Sequence, residues 1–395
     1  MPRPTKLIPF ILVLLLWGCV CPGRVMACRY NVRDIGFVDL DPEPYRFYSY
    51  VRNDTPGNVV SLLTNLAAVV LAESNIHFEL IQIEKASQHP ALKYLGAKPP
   101  DLLPAGVLVS PDGQRLPVPL LNPGQPAKQS IQTALQQLVS SPKRAEIAHH
   151  VQRAFGVILF LEGPQPAENQ RVQRAIASAI EQIGGQMKLM PKLIAQPPVM
   201  VVIKAASIAK EQVLLWSLGL ETNQVPSPRA AIIYGRARWM GPLMKGDEIT
   251  ERNLTGILSI IGADCECGLD ISWTQGTRLP IRWDPQQQSE VTRLLGFDPE
   301  NPQVKIEVSR ILERSSSNPK PAPNFEAKLA SVEMPANSRA SALPHPTNQA
   351  PGRMGAAVDT TPEKRLVSIL VGMAMVALVA GLWIVWRTAR KHSIG

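Results

Sequence analysis

The sequence predicts a mixed α/β chain whose folded region is made of two similarly ordered halves, followed by one apolar segment long enough to cross a membrane. Three observations carry this reading. Strand-like and helix-like hydrophobic periods alternate over residues 46–139 and again over residues 155–261. A proline opens a hairpin at the same point of each half, at Pro104 and at Pro228. Residues 366–386 form an apolar run whose only hydroxyl is Ser368, and at about 1.5 Å per residue it spans the hydrocarbon core.

With 395 residues, 45% of them hydrophobic, the chain has room for two ordinary domains once its non-globular ends are set aside. The formal net charge is +9, but the basic residues are spread along the chain. A nucleic-acid partner would require them to cluster, so none is expected.

Arg3 and Lys6 precede an apolar stretch over residues 7–17, which is too short to span a bilayer and has the length of a signal-peptide core. Val25 and Ala27 stand at the spacing signal peptidase reads, so residues 1–27 are expected to be removed before Cys28. The competing site is Leu16-Trp17-Gly18-Cys19, which imitates a lipoprotein box but carries Trp17 where a small residue is usual. Trp383 and Trp386 sit at one end of the apolar run, and Arg387, Arg390 and Lys391 follow it, which places a tail of residues 387–395 in the cytoplasm and the bulk outside. Residues 315–365 are rich in Pro, Ser, Ala and Asn without apolar period. They read as a stalk that holds the folded part on the order of 40 Å from the bilayer.

In the first half, residues 46–51 alternate as a half-buried strand, and residues 58–73 carry Val59, Leu62, Leu63, Leu66, Val69 and Val70 at helical spacing. Residues 77–83 read as a strand and 86–95 as a short helix. A strand from Leu103 then turns through Pro111-Asp112-Gly113 into a second strand, and a helix over 126–139 closes the unit. The second half repeats the order: strand 155–161, helix 166–183, strand 199–203, helix 207–218, hairpin 228–239 and helix 253–261.

Strand, helix, strand, helix, proline, hairpin, helix resembles the thioredoxin fold in both halves. The resemblance implies two tandem thioredoxin-like domains, residues 28–141 and, with a C-terminal extension, 142–314, plus one C-terminal transmembrane helix. It also marks Pro104 and Pro228 as cis-proline candidates, since that proline is usually cis and faces the redox motif. The departure is informative. Where the family carries Cys-x-x-Cys, this chain reads Asn53-Asp54-Thr55-Pro56 and Gly163-Pro164-Gln165-Pro166, so disulfide exchange at the usual place is excluded.

After signal removal three cysteines remain: Cys28, Cys265 and Cys267. The last two lie in Asp264-Cys265-Glu266-Cys267-Gly268-Leu269-Asp270, beyond the helix of the second half. A structural disulfide involving Cys28, a thiol redox pair and a soft-metal clip such as Cu(I) all require two sulfurs within reach. Asp264, Glu266 and Asp270 disfavour thiolate, which argues against a strongly nucleophilic cysteine, while the same carboxylates tolerate a cation. His149 and His150 are adjacent and read as a solvated pair. No Gly-x-Ser-x-Gly elbow, phosphate loop or dinucleotide fingerprint is present. The residues after Cys28, with Ile35, Phe37 and Val38 requiring burial, read as an edge strand completing the first half.

The expected function is that of an extracytoplasmic binding or assembly protein without a cofactor. It is anchored in a bacterial inner membrane through residues 366–386 and acts with a membrane protein or envelope complex. The alternatives are a thiol-redox or copper-handling protein using Cys265 and Cys267, and a purely structural envelope protein.

Overall fold

The computed structural model describes residues 29–316, apart from 97–102, 191, 221–224 and 265–270. The expected signal peptide, the stalk beyond residue 316, the apolar run 366–386, the tail, and Cys28, Cys265, Glu266 and Cys267 lie outside the described residues. Among the described residues, no helix is long and apolar enough to cross a membrane.

A short helix, α1 (Val32–Ile35), comes first. The first half then runs β1 (Tyr45–Val51), α2 (Gly57–Leu71), β2 (Ile76–Gln82), a 3-10 turn at Pro90–Tyr94, β3 (Ala105–Val109), β4 (Arg115–Pro119) and α3 (Ala127–Val139). Its sheet has the order β2-β1-β3-β4, with β2 parallel to β1 and the β3–β4 hairpin antiparallel. Edge strand β4 alternates exposed and buried residues, and Pro117 and Pro119 occupy two of its exposed positions.

The second half comprises α4 (Pro142–Arg153), β5 (Val157–Leu161), α5 (Pro166–Met187) and β6 (Val199–Ile203). A 3-10 stretch, Ala205–Glu211, then runs into α6 (Gln212–Ser217) and is followed by β7 (Arg229–Tyr234), β8 (Arg238–Lys245) and α7 (Glu251–Ile261). The strand order repeats as β6-β5-β7-β8, again with one parallel pair and an antiparallel hairpin. Strand β5, Val-Ile-Leu-Phe-Leu, is buried at every position because helices cover both faces of this sheet. Helix α5 turns Val172, Ile176, Ala179 and Ile183 inward at helical spacing. Thr250 caps α7 by accepting from the Asn253 amide.

The C-terminal extension adds α8 (Ile271–Thr274), β9 (Thr277–Arg278) at the free side of β8, α9 (Pro285–Leu295) and α10 (Pro302–Ser316). Asp284 and Gln287 form a capping box at α9, which ends at Gly296 with φ +76°. Between β9 and α9 the chain threads between the halves. Leu279 N–H donates to Ala237 of the second half, while Arg282 N–H donates to Val139 and Trp283 N–H to Glu73 of the first. Asn75 bonds Leu279 and Ile281 through its side-chain amide. Trp216 of α6 also enters the core of the first half beside Tyr45, with ring centroids 6.0 Å apart.

Arg144 of α4 is the main polar joint. Its buried guanidinium donates to the carbonyls of Leu138 (2.5 Å) and Pro280 (2.8 Å), to that of Gln137, and to Ser141 Oγ (3.0 Å). A cation thereby satisfies the carbonyls at the end of α3, where the helix leaves them without partners. Burial holds this guanidinium low, at about 10, against the raising influence of Glu211.

The N-terminal segment differs from the sequence expectation. It is not an edge strand of the first half: its helix α1, capped reciprocally by Asn31 and Asp34, lies against the second half and α10. Tyr30, Ile35 and Val38 pack with Val304, Val308, Ile311 and Leu312, so the apolar residues are buried, but by elements distant in sequence.

Candidate functional site

The position equivalent to a redox motif in the second half is closed. After β5 the backbone at Gly163 lies so near the hairpin proline that an added Cβ would stand 2.7 Å from Pro228 Cδ and 2.9 Å from the Ser227 carbonyl carbon. Asn169 on the first turns of α5 locks that contact, accepting from Gly163 N–H at 2.8 Å and donating to Gly163 O at 2.9 Å. On the other side, Pro228 O accepts from Gly246 N–H at 3.0 Å, and Gly246 O in turn accepts from Arg171 at 2.8 Å. The space facing Pro228 is therefore filled by backbone. Ser227–Pro228 is not cis, a correction to the expectation of two cis prolines. Pro228 instead opens β7, its ring seated on Gly163 and its carbonyl bonded to Gly246.

In the first half the Leu103–Pro104 bond is cis, the sole such bond among the described residues, and Pro104 is buried. The turn before α2 closes through Arg52 and Thr55, with Thr55 N–H donating to Arg52 O at 3.2 Å and Arg52 N–H to Thr55 Oγ1 at 3.0 Å. Gln82 donates to Asn53 at 2.6 Å, and Asn53, Asp54 and Pro56 face solvent. The sheet face opposite α2 and α3 carries an aromatic group. Tyr48 stacks on Tyr94 with centroids 5.9 Å apart, Lys93 lies 4.8 Å from the Tyr94 centroid, and Tyr50 donates to Ala91 O at 2.6 Å. Burial pushes the Tyr48 and Tyr50 hydroxyls above their ordinary range, so both stay protonated at neutral pH. His149 and His150 stand edge to face at 5.4 Å, and among the described residues no three metal-ligating side chains gather.

No protein-family model matches the chain, and no curated protein matches it in sequence. Solved structures similar to it include the zinc-bound form of human ERp44, at 11% identity and TM-score 0.22, covering 60% of this chain and 61% of that one. A second is the structure of the first two thioredoxin domains of Saccharomyces cerevisiae Eps1p, at 9% identity and TM-score 0.21, covering 55% of this chain and 92% of that one. A third is ERdj5 form II, at 10% identity and TM-score 0.19, covering 55% of this chain and 27% of that one. The chain thus spans 61% of the ERp44 structure and a smaller part of ERdj5.

The flanks of the cysteine candidates are brought together. Asn31 and Asp264 form an antiparallel bridge, with Val32 N–H donating to Ala263 O at 2.9 Å. Several contacts fix the Asn31 side. Arg33 donates to the carbonyls of Val151, Gln152 and Ala154 at the end of α4, and Lys192 pairs with buried Asp34 at 2.8 Å while donating to Leu295 O. Gly36 meets Gly235 in the β7–β8 turn, and its carbonyl accepts from Arg236 N–H and Arg238 Nε, each at 3.0 Å. Sequence reasoning missed this clasp; its visible signals were two glycines, Gly36 and Gly235, at a backbone-to-backbone crossing.

The clasp ends at Asp39, which pairs with Arg278 at 2.6 Å and with Arg236 at 3.5 Å. Burial alone would raise the Asp39 carboxyl, but Arg278, Arg236 and Arg238 together hold it below the usual carboxylate range. Its contribution is therefore present above the unfolded value, about 4, and is lost as pH falls through the depressed folded value. An Asp39→Asn variant is expected to lose about 3 kcal/mol at neutral pH, because Arg278 is left buried and uncompensated. Urea unfolding of this variant should show a flatter fall in stability on acidification than the wild type.

Proposed function

We propose that the chain is a membrane-anchored extracytoplasmic binding protein built on two thioredoxin-like domains that lack a redox centre. The observation that carries this reading is Gly163, packed against Pro228 and held by Asn169. At that place a redox-active relative would need two thiols and room for a substrate backbone. The first half has no sulfur there either, offering Asn53, Asp54 and Pro56 at an exposed turn. Two such units fastened by Arg144 and the segment before α9 make a rigid recognition body. The stalk and the apolar run 366–386 would keep it near the bilayer of a bacterial inner membrane, at high effective concentration towards a membrane protein or envelope complex. No cofactor is required.

We further infer that Cys28 forms a structural disulfide with Cys265 or Cys267. Asn31, three residues after Cys28, is bridged to Asp264, which stands next to Cys265 and three residues before Cys267, so the described flanks of these cysteines meet. Both thiols give up their protons and two electrons to a thiol–disulfide oxidant of the exported compartment. Non-reducing peptide mapping of the mature chain is expected to find Cys28 joined to Cys265 or Cys267 and the third cysteine alkylatable. A Cys265–Cys267 pair that cycles with the buffer would overturn the binding-protein reading.

A further inference from the structure

Among the described residues, the first half has one guarded edge and one open edge. β4 is blocked by Pro117 and Pro119, but terminal strand β2 carries no proline along its seven residues. Beside it runs α2, which has no charged residue from Gly57 to Leu71. One strip of α2, Leu63, Ala67 and Leu71, is buried in the half's own core. A second strip, Val59, Leu62, Leu66 and Val69, follows the alternating three- and four-residue spacing of a helix–helix seam. The first three are only partly buried and Val69 is 77% exposed. On the same sheet face, Phe78 and Leu80 of β2 are likewise only partly covered.

We propose that this surface is covered by a second copy of the chain, with β2 pairing antiparallel to its own counterpart about a two-fold axis at Phe78. The sequence of β2 is self-complementary about that point. Phe78 would meet Phe78, Ile76 would meet Leu80, and on the other face exposed His77 would meet Glu79, a half-exposed carboxylate that already pairs with His89 of its own chain at 3.0 Å and keeps an acceptor for the copy. Each crossing thus brings together two apolar groups or a histidine and a carboxylate. The charge-free α2 then faces its copy without like-charge repulsion, a condition that most exposed helices fail. A partner of opposite charge has nothing to read on α2, which favours self-association. This inference stands apart from the redox state of the cysteines.

The test uses the full chain in detergent, with sedimentation analysis of the wild type, of His77→Glu, and of His77→Glu combined with Glu79→Lys. His77 is exposed, so its replacement leaves the core intact. The wild type is expected to sediment as a dimer. His77→Glu sets carboxylates opposite each other at two crossings and weakens association about tenfold or more, and the double variant restores it with the charges exchanged. A monomeric wild type, or a dimer that His77→Glu leaves unchanged, overturns the proposal.

Discussion

Gly235→Ala is expected to release the N-terminal segment from the second half. Gly235 adopts φ +53°, and a Cβ there would lie 2.4 Å from the carbonyl carbon of Gly36, a backbone atom. The segment cannot step aside cheaply, because Gly36 O is held by Arg236 N–H and Arg238 Nε and the residues before it are fixed by Arg33 and Asp34. Left-handed backbone costs an alanine about 1–2 kcal/mol and the forced contact adds about 1–3 kcal/mol, so a total loss near 3 kcal/mol is expected. Gly296→Ala separates the two contributions. Gly296 also has positive φ, at +76°, but nothing within 4 Å of an added Cβ, so it should cost only the conformational part. Denaturant unfolding of both variants, with limited proteolysis near Arg29, measures the difference. Equal losses from the two would mean that the Gly36 crossing is not tight.

Arg144→Met is expected to unfasten the halves. The substitution preserves the apolar stem but removes the donors to Gln137, Leu138 and Pro280, leaving carbonyls at the end of α3 and in the threading segment buried without partners. Each orphaned group costs about 1–3 kcal/mol, partly offset because a charge is no longer buried, so a net loss of about 3–5 kcal/mol follows. Lysine would not substitute, since a single ammonium cannot reach carbonyls on two separate segments in the fork geometry of guanidinium. Calorimetry is expected to show one transition for the wild type and a broadened or divided one for the variant, as each half melts by itself. A variant within about 1 kcal/mol of wild type would place the joint elsewhere.

The parts legible in the sequence were those with local period. The strand expected at 199–203 coincides with β6, and the helix expected at 58–73 overlaps α2, because each buries a face through a repeat that its own residues display. What was not legible depends on contacts between distant segments. The aliphatic residues of the N-terminal segment announced burial but not the surface that buries them, which proved to be α10 and the β7–β8 turn. Nothing in the sequence singles out Arg144, Arg33 or Arg238, yet each saturates backbone carbonyls supplied from other elements, and no spacing in the chain encodes that. The candidate site was half legible: the missing thiols were plain at 53–56 and 163–166. The closure by Gly163 against Pro228 needed the hairpin brought back across the sheet.

The measurement that bears most directly on the central claim is peptide mapping of the mature chain after equilibration in glutathione buffer, with free thiols alkylated and metal content read in parallel. A binding protein with a structural clasp should keep Cys28 joined to Cys265 or Cys267, since structural disulfides resist the glutathione pool, and should show the third cysteine alkylated and no metal. A Cys265–Cys267 bond that opens and closes with the buffer, or a soft metal such as Cu(I) held by those two sulfurs, would contradict the account and make that loop the centre of a redox or metal-handling protein.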